Sequence, residues 1–234
     1  MKIQLSKVQS MDKVEMAVAA LQNFIIEGGL KPGTELPSEN EMANQIGVSK
    51  FSMREALRVA QSQGLIEISQ GRRTKVADLS MKPAAGIMNL LMKRSKYLLL
   101  ELTEARRSLE ISIVRLAALR RTDEQVEAMA RTIADMEANR DDLLFCVDKD
   151  IEFHEILAQA TKNRVFELIN ESIGEILRES RKETMRISGV EMPIFEHQEI
   201  LSAIKKKDPD KAVECMGLHL DTAESNLKAL NEEG

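Results

Sequence analysis

Residues 38–58 read SENEMANQIGVSKFSMREALR, a stretch that contains the signals for two short helices joined by a tight turn. Ser38 and Glu41 predict a capping box, in which each side chain binds the other residue's backbone amide. Gly47-Val48-Ser49 predicts the turn, with Ser49 as the N-cap of the second helix. This helix-turn-helix pattern is typical of proteins that lay the second helix in the major groove of DNA.

The sequence on either side extends this unit. Before it, apolar residues from Val14 to Ile25 repeat at helical spacing, and Gly28-Gly29 ends the run. After it, residues 65–68 and 74–76 are suited to pair as a hairpin around Gln70, Gly71, Arg72 and Arg73. We therefore predict a winged helix-turn-helix. The residues expected on the outer side of its second helix are Lys50, Phe51, Ser52, Arg54 and Arg58.

Residues 10–77 resemble the DNA-binding domain of GntR-type transcriptional regulators. The resemblance is carried by GLKPGTELPSE at 29–39, IGVS at 46–49, REAL at 54–57, GLI at 64–66 and GRRTKV at 71–76. Two positions depart from the family pattern: Lys50 stands where arginine is usual, and Arg73 stands where a second wing glycine is frequent. A lysine at position 50 weakens any bidentate base contact there, because an ammonium group is a point charge.

The resemblance implies a DNA-contacting role for the start of the first helix, the second helix and the wing. Arg54 is best suited to base reading, because its planar fork matches O6 and N7 of guanine. Lys50 and Arg58 suit phosphates, while Arg72 and Arg73 suit the minor groove. The full set of predicted DNA contacts is Asn40, Ser49, Lys50, Ser52, Arg54, Arg58, Gln70, Gly71, Arg72 and Arg73.

Composition sets the class of protein. The 234 residues are 43% hydrophobic, enough for a sizeable core, and the net charge is −5. Residues 1–77 carry a small excess of basic side chains, whereas the remainder is acidic, which suits an N-terminal nucleic-acid module. With two cysteines, no signal-like start and no long apolar run, we expect a cytoplasmic protein with no membrane partner.

The rest of the chain reads as mostly helix. We predict a linker at 78–84, where Pro83 and Ser80 lie, and an all-helical effector-binding and dimerisation domain over 85–231. The expected helices cover approximately 85–93, 96–120, 123–140, 142–160, 163–185, 191–206 and 209–231. The expected fold class is therefore mainly α, a winged helix-turn-helix followed by a helical bundle.

All three histidines of the chain fall in this second part, each on an apolar helix stripe. Asp150 lies one turn before His154, so both side chains can reach one ion, with His197 and His219 arriving from other helices. If it were buried without a partner, each of these groups would destabilise the fold by roughly several kcal/mol. A bound divalent cation would remove that cost. This ligand set favours zinc first, with nickel, manganese or iron as alternatives, over magnesium or calcium. The other interpretation is that the histidines are ordinary core residues.

Residues 85–230 also resemble the FadR-type ligand-binding domain, called FCD, that follows many GntR winged helices. The resemblance lies in EARRSLE at 104–110, DIEFH at 150–154 and the surroundings of His197 and His219. In metal-containing members, the positions of Asp150, His154, His197 and His219 hold a divalent ion whose coordination an organic acid completes. The resemblance also assigns Arg106 to the effector, the alternative being a salt bridge to Glu110.

Together these features predict a homodimeric repressor that binds a palindromic DNA operator and responds to a small carboxylate at the metal site. In one alternative, the metal itself is the signal. The remaining alternative is a metal-dependent enzyme, which lacks a partner base because Glu152 and Glu155 lie on the opposite helix face from His154. The sequence therefore predicts a regulator and not an enzyme.

Overall fold

The computed structural model describes residues 12–69, 73–78, 80–92 and 96–232. Within these ranges the protein is mainly α-helical, as predicted, with ten helices and one two-stranded sheet. The chain divides into two compact units, one ending at Pro83 and the other beginning at Ala84. None of the helices in the described ranges has the length and apolar character required to cross a membrane.

The first unit is a winged helix-turn-helix. Helix α1 spans Lys13–Glu27, α2 spans Glu39–Ile46 and α3 spans Lys50–Ser62. Strands β1 (Ile66–Glu67) and β2 (Lys75–Val76) pair antiparallel, with Ile66 opposite Val76, which confirms the predicted hairpin. The buried side chains of this unit form one apolar cluster that includes Leu21, Leu36, Met53, Leu57, Ile66 and Val76.

Local hydrogen bonds explain why α2 and α3 begin and end where they do. The Ser38 hydroxyl accepts from the Glu41 amide at 3.3 Å, and the Glu41 carboxylate accepts from the Ser38 amide at 2.8 Å, which confirms the capping box. Gly47 ends α2 with a φ of 78°, a left-handed conformation that glycine adopts without steric cost. Ser49 then caps α3, accepting from the Ser52 amide at 3.0 Å.

One residue of α3 was assigned to the wrong side. We predicted Ser52 on the outer side of the helix, but its side chain is buried, at 9% exposure. Its hydroxyl lies 2.9 Å from the Ser49 hydroxyl, so it belongs to the cap at the helix start. The hydroxyl is therefore turned towards Ser49, and the DNA-binding role of Ser52 stays a prediction.

The second unit is the predicted helical bundle, with helix ends shifted by at most three residues from their expected positions. The helices are α4 (Lys82–Met92), α5 (Lys96–Arg120), α6 (Asp123–Ala138), α7 (Leu143–Ala160), α8 (Arg164–Ser188), α9 (Glu191–Lys205) and α10 (Pro209–Glu232). Residues 82–84 were expected in the linker, yet they form the first turn of α4. Pro83 is tolerated there because the first helical turn does not use its backbone N–H groups.

Helix α7 is the centre of this bundle. It packs against α5, α6 and α8, and ten of its residues are buried. Helix α10 packs against α5 and α9, so the faces of α7, α9 and α10 border one interior. Large apolar side chains such as Phe153, Leu157, Ile200, Ile204 and Met216 fill this interior. Buried polar side chains of the same three helices lie among these apolar groups.

Candidate functional site

The four predicted metal ligands meet inside the bundle. Asp150 and His154 come from α7, His197 from α9 and His219 from α10. One ligand atom from each residue can be chosen such that all four lie within 4.8 Å of one another. All four residues are buried, with at most 5% of each exposed. The structure thus brings together side chains that are up to 69 positions apart in the sequence.

Two of the histidines are oriented by buried glutamates. Nδ1 of His154 lies 2.8 Å from a carboxylate oxygen of Glu110, and Nδ1 of His219 lies 2.8 Å from Glu196. With the proton on Nδ1 in each case, the lone pair of Nε2 is left for a ligand. Nε2 of His154 is buried and has no hydrogen-bond partner among the described residues. Thr222 donates to the other Glu196 oxygen at 2.6 Å, which holds that carboxyl in place.

His197 is oriented by an aromatic ring. Its imidazole stacks on Phe153, with ring centroids 4.1 Å apart and an interplanar angle of 12°. Its Nε2 lies 3.4 Å from an Asp150 oxygen, and neither ring nitrogen has a hydrogen-bond partner among the described residues. Buried polar atoms without partners are rare in native proteins. These unpaired nitrogens, together with the imidazole and carboxylate donor set, fit a divalent transition metal.

The protonation states of the cluster also suit a metal. Burial alone would raise the pKa of the Asp150 carboxyl, but the charges of Arg181 and the histidines hold that pKa below its usual range. Burial lowers the pKa of His197 well below its usual value and lowers that of His219 to about 3. At neutral pH the aspartate is therefore ionised and these two imidazoles are neutral, the forms that bind metals.

Two buried arginines border the cluster. Arg106 pairs through Nε with Glu110, and Arg181 pairs with Asp150, with 2.8 Å between its Nε and the carboxylate oxygen. Both arginines line a small cavity of about 40 Å³ next to His219. The sequence left two alternatives for Arg106, and the structure contains the salt bridge to Glu110. That salt bridge and a place on the cavity wall coexist, so the effector role of Arg106 stays a prediction.

Three residues that support the ligands were not predicted from the sequence, namely Glu110, Arg181 and Glu196. Arg181 had a readable signal, because it continues the apolar stripe of Ile173 and Leu177 at four-residue spacing. The sequence indicates Glu110 only as a partner for Arg106. Its contact with His154 depends on how α5 packs against α7, which helical spacing does not report.

In the first unit, the predicted DNA-binding residues on α2 and α3 lie at the surface, apart from Ser52. Asn40, Ser49 and Lys50 are exposed. The guanidinium of Arg54 binds both carboxylate oxygens of Glu39, at 3.0 and 3.3 Å, and Arg58 pairs with Glu55 at 2.9 Å.

A groove of about 590 Å³ lies in this unit. It is bordered by Arg54, Arg58 and Arg73, which belong to α3 and to the segment just before β2. Arg73 is exposed, whereas the predicted contacts Gln70, Gly71 and Arg72 lie outside the described residues. Three arginines and one carboxylate, that of Glu39, therefore line the groove.

Comparison with known protein families decides the assignment of the chain. The model described as bacterial regulatory proteins, gntR family, matches residues 13–76, and that of the FCD domain matches residues 101–222. The chain belongs to the GntR family. It is a transcriptional regulator of the GntR type with an FCD domain, and the relatives it matches are regulators and not enzymes.

Individual relatives agree with the family assignment. The chain is 28% identical to the HTH-type transcriptional regulator LutR of Bacillus subtilis, a match that covers 90% of this chain and 99% of LutR. It is 29% identical to the HTH-type transcriptional repressor NanR of Salmonella newport, over 94% of this chain and 86% of NanR. A solved GntR structure from Streptococcus agalactiae superposes with a TM-score of 0.70 at 27% identity, covering 91% of this chain and 99% of that chain.

Proposed function

We propose that this GntR regulator is a metal-dependent repressor whose operator affinity is controlled by a small organic acid. The observation that carries the proposal is the buried cluster of Asp150, His154, His197 and His219, whose ligand atoms lie within 4.8 Å of one another. The relative named a repressor, NanR, supports the same direction of regulation. The protein acts as a homodimer on a palindromic operator, since two recognition helices double the number of bases that are read.

The four ligands hold a divalent metal, with zinc as the first choice for three imidazoles and one carboxylate. When bound, the ion supplies a positive centre that binds and polarises a carboxylate. Glu110 and Glu196 fix the rings of His154 and His219 and increase their basicity as ligands. Phe153 holds the third ring by stacking. These contacts preorganise the site before any effector arrives.

The effector is an acid because a bound divalent ion and two arginines together outweigh the carboxylates of Asp150 and Glu196, which also line the cavity. Arg106 and Arg181 line it, and arginine forms bidentate contacts with carboxylates. The rest of the lining contains hydroxyl and amide groups from Thr184, Ser188 and Asn226. Lactate-like acids, sugar acids and dicarboxylates all match this chemistry, whereas a long acyl chain does not.

On the DNA side, Arg54 reads a guanine and Lys50 and Arg58 hold phosphates. The pair that Arg54 forms with Glu39 is exposed to solvent, so exchanging it for a base contact costs little. Effector and operator affinities are then linked, and a coupling of about 1 to 3 kcal/mol is sufficient for regulation.

The test measures operator binding in four states of the protein. A duplex selected by the protein from a random pool is titrated with metal-free protein, zinc-loaded protein, and each of these with a panel of the three acid classes. The proposal predicts tight, salt-dependent binding by zinc-loaded protein that one acid weakens about 5- to 150-fold. An acid that acts equally on metal-free protein would overturn the metal-dependent mechanism.

One observation favours a second candidate, in which the metal itself is the signal. The cavity beside the cluster has a volume of about 40 Å³, which is enough for about one or two water molecules. If zinc alone changes operator affinity and no acid alters it further, this second function replaces the first.

A further inference from the structure

The recognition helix α3 exposes an aromatic side chain that the DNA-binding set above does not include. Phe51 is the second residue of the helix and 71% of its surface is exposed, the largest value for any bulky apolar side chain within the described residues. Its burial in the protein therefore contributes little to the stability of the fold. An aromatic ring held in water at the start of a recognition helix instead suits an apolar partner outside the protein.

Helical geometry places this ring on the DNA-reading side. Successive residues turn by about 100° around an α-helix, so Phe51 lies within about 60° of Arg54 and one turn before it. Lys50 lies about 40° from Arg54 on the side away from Phe51, and Arg58 lies about 40° from Arg54 on the same side as Phe51, one turn further along the helix. The residues at the start of a recognition helix are the ones that reach base edges. Phe51 therefore points the same way as the predicted base-reading arginine.

The chemistry of the major groove leaves one partner for such a ring. Phenylalanine has no hydrogen-bond donor or acceptor, so it cannot read the polar edges of guanine, cytosine or adenine. The apolar group that the major groove presents is the C5-methyl group of thymine, which phenylalanine contacts directly. A phosphate contact is excluded by the same lack of polar groups.

We propose that Phe51 is a specificity-determining residue that reads the methyl group of one thymine in each operator half-site. The inference rests on the proposed role of α3 as the recognition helix. It assigns a base preference that comes from apolar contact, beside the hydrogen-bonded contact of Arg54. A base change that keeps every hydrogen bond of the thymine and removes only its methyl group must then weaken binding.

The experiment replaces thymine by uracil, which differs only in that methyl group. The duplex that wild-type protein selects from a random pool is synthesised with each thymine changed in turn to deoxyuridine, and the dissociation constant is measured by fluorescence anisotropy at fixed salt. We expect one position per half-site at which the change weakens binding about fourfold, and about 15-fold when both half-sites are changed. At that position Phe51→Ala binds thymine and uracil duplexes equally, while Phe51→Leu keeps part of the difference.

Phe24→Ala is the matched control, because Phe24 is also an exposed phenylalanine of the same unit but lies on α1. It must keep the wild-type response to uracil, and both variants must show wild-type thermal unfolding. The inference is overturned if no thymine is sensitive to the loss of its methyl group, or if Phe51→Ala keeps the sensitivity, even though the protein binds its selected duplex. If the protein selects no sequence, the proposed operator binding fails as well, and with it the inference.

Discussion

Glu110 offers the sharpest test of how the bundle prepares its ligands. One oxygen of this buried carboxylate accepts from Nε of Arg106, and the other lies 2.8 Å from Nδ1 of His154. Burial acts to raise its pKa, but Arg106 and His154 hold that pKa well below the usual value, so it is ionised at neutral pH. The substitution Glu110→Gln leaves one acceptor oxygen for two donors and places an N–H group against the other donor.

Two losses follow from this change, and they are measured separately. Removing a partner that orients a metal-bound histidine lowers metal affinity by about 10- to 100-fold. Leaving the buried Arg106 without a charged partner lowers the free energy of unfolding by about 3 to 5 kcal/mol. The second effect is the larger in free energy, because a 10- to 100-fold change equals about 1.4 to 2.7 kcal/mol.

The assay for affinity is zinc competition against a chelator with a known constant, carried out well below the unfolding temperature of the variant. Urea unfolding of the metal-free protein reports the stability loss independently. Glu104→Gln, an exposed glutamate of the same helix, is the control and should change neither quantity. A zinc affinity for Glu110→Gln within twofold of wild type would refute the role given to Glu110.

Three further predictions follow from the described contacts. Arg54→Ala should lower the free energy of operator binding by about 1 to 3 kcal/mol through one base pair. Arg58→Ala should instead weaken binding to all sequences and reduce the slope of log affinity against log salt concentration by about one. Gel-shift titrations that show the same loss for both variants would disprove the separate roles. Gly47→Ala should lower the free energy of unfolding, measured in urea, by about 1 to 2 kcal/mol. The reason is the φ of 78° at this residue, which disfavours a side chain even though no atom lies within 4 Å of the added Cβ. An unchanged midpoint of urea unfolding contradicts this reasoning. Zinc at one hundred times its dissociation constant should stabilise wild-type protein by about 2.7 kcal/mol. The same zinc concentration should stabilise Asp150→Asn by less, because only three ligands remain, so an undiminished zinc effect in that variant argues against the ligand assignment.

Local signals in the sequence predicted most of the fold. The caps at Ser38 and Ser49 and the left-handed Gly47 act within a few residues, so the sequence alone located α2 and α3. Apolar periodicity likewise located the helices of the bundle. Apolar periodicity did not place Ser52 correctly, because this residue lies at the edge of the buried stripe. The hydrogen bond between the Ser49 and Ser52 hydroxyls turns its side chain inward.

The candidate site was predictable only in part. The four ligands carried a signal, because polar groups on apolar stripes need a partner. The groups that orient them depend on which helices pack together, as in the contact of Glu110 on α5 with His154 on α7. The pair of Arg54 with Glu39 also joins two separate helices. Such contacts follow from tertiary packing and leave no regular spacing in the sequence.

Four side chains of the FCD domain are proposed to hold one metal ion. Anomalous diffraction at the zinc edge, from crystals of protein loaded with zinc, tests it directly. We expect one strong peak per chain, enclosed by Asp150, His154, His197 and His219 at about 2.0 to 2.2 Å from each ligand atom. Ordered density for all four side chains with no peak among them, or a peak at another place, would contradict it.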